Sequence, residues 1–117
     1  MKTILVVDDE FDVVSATVAA LNDEGYRVIV GSNGIDGMRL LQETKPELLM
    51  CDLMMPLMDG FTMIQLVRRD PACRQMPILV MSALNESAVS TMVPGYDGFL
   101  RKPFRISRLL EAVGALT

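Results

Sequence analysis

Short apolar runs punctuate the chain at Ile4–Val7, Val28–Val30, Leu48–Cys51, Ile78–Met81 and Phe99–Leu100, mostly without the polar alternation of a half-exposed strand. Continuous runs of that length predict strands covered on both faces. Between them, apolar positions recur every three or four residues, at Val14, Val18 and Leu21 in the first intervening segment and at Ile106, Leu109, Leu110 and Val113 in the last. That spacing predicts amphipathic helices. Strand and helix alternate five times, which implies right-handed crossovers and a parallel sheet with helices on both faces. The expected fold class is α/β, a doubly wound (βα)5 domain over residues 1–117 with strand order 2-1-3-4-5.

Turn chemistry sets the boundaries. Gly25 ends the first helix, Asn33-Gly34 turns into the second, Pro46 precedes the third strand, Asp59-Gly60 opens the third helix, and Pro71 and Pro77 bracket the approach to the fourth strand. Pro94-Gly95 cuts the fourth helix short, leaving it from about Asn85 to Val93, because proline lacks the helix donor and crowds the preceding turn. Gly37, inside the second helix, should cost about 1 kcal/mol relative to alanine, so that helix is expected to be one of the looser ones.

Composition narrows the chemistry. With 117 residues, half of them hydrophobic, the chain can bury a core without disulfides or a structural metal. Cys51 and Cys73 lack metal-ligand spacing and suit a reducing, cytoplasmic setting. No charged leader precedes an apolar stretch, and no run approaches the roughly 18 residues that span a bilayer, so neither export nor membrane insertion is expected. A net charge of −4 without a Lys/Arg cluster argues against direct nucleic-acid binding. Histidine is absent, so carboxylates must serve any metal or nucleophile role.

Polar residues follow four of the apolar runs: Asp8 and Asp9, Asp52, Ser82, and Lys102-Pro103. Parallel α/β sheets bind ligands outside the carboxyl ends of their strands, which is where these residues fall. Like charges about 4 Å apart repel by roughly 4 kcal/mol at an effective dielectric near 20, so clustered aspartates should hold a proton or bind a hard cation. Oxygen-only ligands favour Mg²⁺, which also accepts a phosphate oxygen. Asp52 is then the best-placed nucleophile for an acyl phosphate, with the Lys102 ammonium and Ser82 hydroxyl positioned to contact phosphoryl oxygens.

Together, DDE at 8–10, DLMMPLMDG at 52–60, SA at 82–83 and FLRKPF at 99–104 resemble the receiver domain of two-component response regulators, a flavodoxin-like module, over essentially the whole chain. The resemblance implies that Asp52 accepts phosphate from a sensor histidine kinase or phosphotransfer protein. It also implies that Asp8 or Asp9, Asp52 and the backbone carbonyl of Met54 bind Mg²⁺, that Ser82 and Lys102 read the phosphoryl group, and that Phe99 is the aromatic switch. Lys102-Pro103 would be cis. Such a module catalyses only its own phosphorylation and dephosphorylation, and regulates a downstream protein or output domain, with phosphorylation-dependent dimerisation among the family's options. Leu57 departs from the small or polar residue usual beside the phosphorylation loop, Gly31 and Gly37 stand where alanine is frequent, and the Ser82–Lys102 spacing is about two residues short of the family pattern. A haloacid-dehalogenase-like phosphatase would need an acid two positions after the nucleophile, where this chain has Met54. An FMN-binding flavodoxin would need a Ser/Thr/Gly-rich loop in place of DDEFDV. The remaining alternative is a receiver-like interaction domain that is not regulated by phosphorylation.

Overall fold

A computed structural model describes residues 1–117. The elements run β1 (Thr3–Val7), α1 (Phe11–Asp23), β2 (Arg27–Gly31), α2 (Gly34–Thr44), β3 (Leu48–Asp52), α3 (Gly60–Arg69), β4 (Ile78–Ser82), α4 (Glu86–Met92), β5 (Gly98–Arg101) and α5 (Ile106–Leu116). The strands form one parallel sheet in the order β2-β1-β3-β4-β5. Alternation along each strand divides the core in two. Leu5, Val7, Leu49, Cys51 and Val80 face α2, α3 and α4, while Ile4, Val6, Met50, Leu79 and Met81 face α1 and α5.

Burial on both faces holds for β1, β3 and β4, every residue of which is buried. It fails for β2 and β5, which lie at the sheet edges and expose Arg27, Val30 and Arg101. Each of those two has a neighbouring strand on one side only.

Local capping follows the turn residues. Asn33, Asp59 and Asn85 each accept a hydrogen bond through a side-chain oxygen from the backbone amide three residues on, satisfying donors that a helix start leaves unpaired. Gly25 takes a left-handed φ of 89° just past α1. α4 spans Glu86–Met92 between caps Asn85 and Val93, as the Pro94-Gly95 break requires.

The expectation that Gly37 loosens α2 is corrected. Gly37 is buried, and a Cβ there would lie 2.9 Å from both Met63 Cε and Val7 Cγ2. The missing side chain lets α2 sit hard against β1 and α3, a gain that helix propensity does not register.

Arg68 ties two connections together. Its guanidinium donates to Gly95 O at 2.8 Å, to Arg74 O at 2.8 Å, to Met76 O at 2.7 Å and to Asp97 Oδ2 at 2.9 Å. Asp97 Oδ2 also accepts the Ile78 amide at 2.8 Å. The α3–β4 and α4–β5 loops are thereby fastened to α3. No helix is long and apolar enough to cross a membrane.

Candidate functional site

The register between β1 and β3 pairs Val7 with Cys51, so Asp8 and Asp52 emerge side by side at the carboxyl edge. Both are buried, at 2% and 4% exposure. Asp52 is fixed from below. Its Oδ1 accepts the Leu53 amide at 2.9 Å, and the Gly60 amide donates to Leu53 O at 3.0 Å. A Cβ on Gly60 would overlap the Asp52 carbonyl oxygen and lie 2.8 Å from Leu53 Cα, so only glycine lets the start of α3 close on this strand end.

Lys102 enters from the end of β5, its amide donating to Ser82 O at 2.8 Å. Its ammonium lies 2.8 Å from Asp8 Oδ2, 2.7 Å from Glu10 Oε1 and 3.4 Å from Asp52 Oδ1. Oxygens of Asp8, Glu10 and Asp52 all fall within 4.8 Å of one another. Glu10 was not singled out in the sequence, and it stands in this group beside Asp8 and Asp52. Asp8 Oδ1 accepts the Glu10 amide at 3.0 Å, forming a turn that carries Glu10 toward the well and leaves Asp9 exposed outside the group. An Asp followed two residues later by another acid was the available signal.

Charge crowding is visible in the protonation equilibria. Burial, then the neighbouring Asp8 charge, raises the Asp52 pKa from 3.8 to about 6 against the pull of Lys102 and the Leu53 amide. Burial alone would lower the Lys102 pKa, but hydrogen bonds to Asp8 and Glu10 and the Asp52 charge raise it overall. Asp8 Oδ2 is buried and, apart from the Lys102 ammonium, has no donor aligned on it. Such an oxygen, beside two further carboxylates, fits a hard divalent cation.

The other expected residues surround this well at differing distances from its chemistry. Ser82 is buried at the end of β4, where its Oγ accepts the Leu84 amide at 3.0 Å and makes no hydrogen bond to Asp52 or to the Lys102 ammonium. Phe99 is half-buried, opposite Val80 in the register, and packs on the α2–α4 side of the core. The Met54 side chain is exposed, and its carbonyl accepts no hydrogen bond. Lys102-Pro103 is cis. Leu57 has φ 68° and an 81% exposed side chain, and it is spanned by a Met58 amide to Pro56 carbonyl bond of 2.8 Å, a strained γ-turn.

Fold and site together define a doubly wound α/β module with a lysine-bridged acidic well at one sheet edge. The chain belongs to the response regulator receiver domain family, which matches residues 4–114. It is 36% identical over 99% of its length to the DNA-binding dual master transcriptional regulator RpaA of Synechocystis sp., and 32% identical over 96% of its length to the transcriptional regulatory protein AfsQ1 of Streptomyces coelicolor. It spans about half the length of these relatives, 49% of each. The chemotaxis response regulator CheY4 of Vibrio cholerae superposes with a TM-score of 0.94 at 26% identity, covering 100% of this chain and 99% of that one. This chain is a phosphorelay signalling module, a receiver rather than an enzyme that turns over external substrates.

Proposed function

We propose that residues 1–117 form one receiver domain in which Asp52 is the phosphoacceptor, with a sensor histidine kinase or phosphotransfer protein as donor. An Asp52 carboxylate oxygen attacks the phosphorus of the donor phosphoimidazole, forming the O–P bond as the N–P bond breaks, and the imidazole leaves with the electron pair. The observation that carries this reading is the buried Asp52 carboxylate, crowded by Asp8 and bridged to it by Lys102 in a chain of the receiver family. Asp8, Asp52 and the Met54 carbonyl would hold Mg²⁺, with Glu10 adjacent and Asp9 a more distant contributor through its charge. Bound there, Mg²⁺ offsets charge on the transferred group. Lys102 supplies the protein's own cation to a phosphoryl oxygen, and the Ser82 hydroxyl, released from the Leu84 amide, donates to another.

Each of those contacts differs between the resting and phosphorylated chain, and only such differences shift a conformational equilibrium. Ser82 and Phe99 are the proposed switch residues, since Ser82 ends β4 and Phe99 lies opposite that strand on β5. The downstream protein or output domain would read the resulting change in a cytoplasmic setting, without direct nucleic-acid contact by this domain. A phosphorylation-dependent dimer is one form that readout would take. The test is intact-protein mass spectrometry after incubation with acetyl phosphate and Mg²⁺, with EDTA and Asp52→Asn controls. A phosphoryl adduct lost in both controls is expected. An unlabelled chain that also gives no NMR response to beryllofluoride and Mg²⁺ would refute the assignment and leave the phosphate-independent interaction domain.

A further inference from the structure

A cleft of about 590 Å³ opens at the amino edge of the sheet, at the opposite end of β3 from Asp52. That volume falls within the range of about 300–1,000 Å³ found for small-ligand sites. One wall is the end of α2 and the turn into β3, where Leu41 and Pro46 are buried and Gln42 and Lys45 exposed. The other is the α3–β4 connection, where Asp70, Cys73 and Met76 are half-buried and Gln75 exposed. Hydrogen bonds within the chain already fix both walls. Lys45 closes α2 with φ 47° and donates its amide to Leu41 O at 3.0 Å. Asp70 Oδ1 accepts the Ala72 amide at 2.9 Å, and its carbonyl accepts the Cys73 and Arg74 amides at 3.1 and 2.8 Å. Arg68 holds the same connection at Arg74 O and Met76 O. The two charges of the lining, Lys45 and Asp70, are opposite in sign and stand on opposite walls, and neither forms an ion pair.

We propose that this cleft binds a small zwitterionic ligand with an apolar body, of the class of apolar dipeptides. Its carboxylate would pair with the Lys45 ammonium and its ammonium with the Asp70 carboxylate. The Gln42 and Gln75 amides, each both donor and acceptor, would meet its peptide group, and its side chains would cover Leu41, Pro46 and Met76. Charge balance selects this class. A lone anion would meet Asp70, a lone cation would meet Lys45, and an uncharged molecule would shield both charges from water without pairing either. The carboxyl ends of α2 and α3 also face this edge, and their partial negative charge adds to the pull on an ammonium. A protein chain end carries only one of the two charges, so a free small molecule is the source that satisfies both walls. Walls already ordered leave little conformational freedom to lose on binding. Binding here does not depend on phosphotransfer, and it would add a chemical input at the end of the sheet remote from Asp52.

The test is amide NMR titration with leucyl-leucine, N-acetyl-leucyl-leucine and leucyl-leucine amide at millimolar concentration. Leucyl-leucine should shift the amides of residues 41–45 and 72–76. Lys45→Gln and Asp70→Asn should each weaken its binding about three- to tenfold. Asparagine keeps an oxygen for the Ala72 amide, so that variant removes the charge and retains the turn. Amidation should cost the wild type a similar factor and cost Lys45→Gln nothing further, and N-acetylation should do the same for Asp70→Asn. Iodoacetamide should modify Cys73 more slowly at saturating leucyl-leucine, with Cys51 silent because it is fully buried. No shifts over 41–45 and 72–76, equal or tighter binding of a capped peptide, a capping penalty that persists in the matched variant, or shifts centred on the acidic well would each overturn the proposal. Acetyl phosphate labelling of Asp52 should be the same in both variants, because neither residue touches that well. Loss of labelling with peptide binding intact would count against the phosphorelay reading alone.

Discussion

Asp52→Asn should make the metal-free protein more stable while removing its capacity to be phosphorylated. At neutral pH the Asp52 carboxylate is charged in the folded and the unfolded chain alike, but its pKa rises from 3.8 to about 6 on folding. Two units at about 1.4 kcal/mol each set the cost of keeping that charge buried at about 3 kcal/mol. Asparagine keeps an Oδ1 acceptor for the Leu53 amide and gives up only the longest of the three Lys102 contacts, at 3.4 Å. A net gain of about 1–3 kcal/mol follows, or about 4–10 °C in Tm for a domain of this size. The sign of the pH dependence is fixed. Between 3.8 and about 6 the folded chain holds a proton that the unfolded chain has lost, so wild-type stability falls as pH rises through that window and the deficit is complete above it. Urea and thermal unfolding in EDTA, followed by circular dichroism near pH 7.5 and near pH 4, would read both limits. The variant should be the more stable near pH 7.5 and match the wild type near pH 4, and added Mg²⁺ should stabilise the wild type more. A variant less stable at neutral pH, or a difference of equal size at both pH values, would refute the reasoning.

Three further outcomes follow from local geometry. Leu57→Gly should relieve the left-handed strain and raise stability by about 0.5–1 kcal/mol in urea melts, after glycine's own entropy loss; a lower midpoint would contradict the strain assigned at φ 68°. Gly60→Ala should cost more than about 2 kcal/mol and reduce acetyl phosphate labelling, because its methyl group would displace the Asp52 carbonyl; wild-type labelling would show that the loop yields freely. Arg68→Ala should destabilise by about 2–3 kcal/mol and speed amide exchange selectively over 94–98 and 74–76, the loops that its guanidinium holds; uniformly faster exchange would argue against a local clasp.

The strand set, the parallel sheet implied by strand-helix alternation and the short fourth helix were legible because each rests on a local rule, apolar runs, three-to-four spacing and proline as a helix stop, whereas the strand order is a tertiary property that no local run encodes. Gly37 was misread because helix propensity is local while its value is tertiary, in the 2.9 Å approaches of Met63 and Val7. Gly60 was recognised as part of a helix start, yet its closeness to the Asp52 backbone depends on a packing distance that spacing does not encode. Asp8, Asp52 and Lys102 were legible as strand-end residues of neighbouring or nearby strands. Glu10 joins the acidic group beside a local bond from its own amide to Asp8 Oδ1, a side-chain to backbone contact that spacing does not announce. Arg68 gave no signal at all, since its partners are backbone carbonyls and the Asp97 carboxylate, supplied by turns distant in sequence.

Glu10 is also where the resting well can be loosened without touching the residue proposed to accept phosphate. Three carboxylates meet one ammonium there, leaving two uncompensated negative charges when all are ionised, which matches a divalent cation. Among the acids, Glu10 is the most exposed, its side chain 57% accessible against 0% for Asp8 and 5% for Asp52. Its pair with Lys102 therefore falls in the range of solvent-screened ion pairs, about 0.2–1 kcal/mol, and is the easiest to give up when Lys102 turns to a phosphoryl oxygen. Glu10→Gln should accordingly raise the acetyl phosphate labelling rate at saturating Mg²⁺ by up to about fivefold. It should also weaken the apparent Mg²⁺ affinity, because one negative charge is lost from the well. The opposed directions separate a grip on the lysine from a general loss of structure, which would lower both. A labelling rate that stayed level or fell at saturating Mg²⁺ would show that Glu10 does not restrain Lys102 in the resting chain.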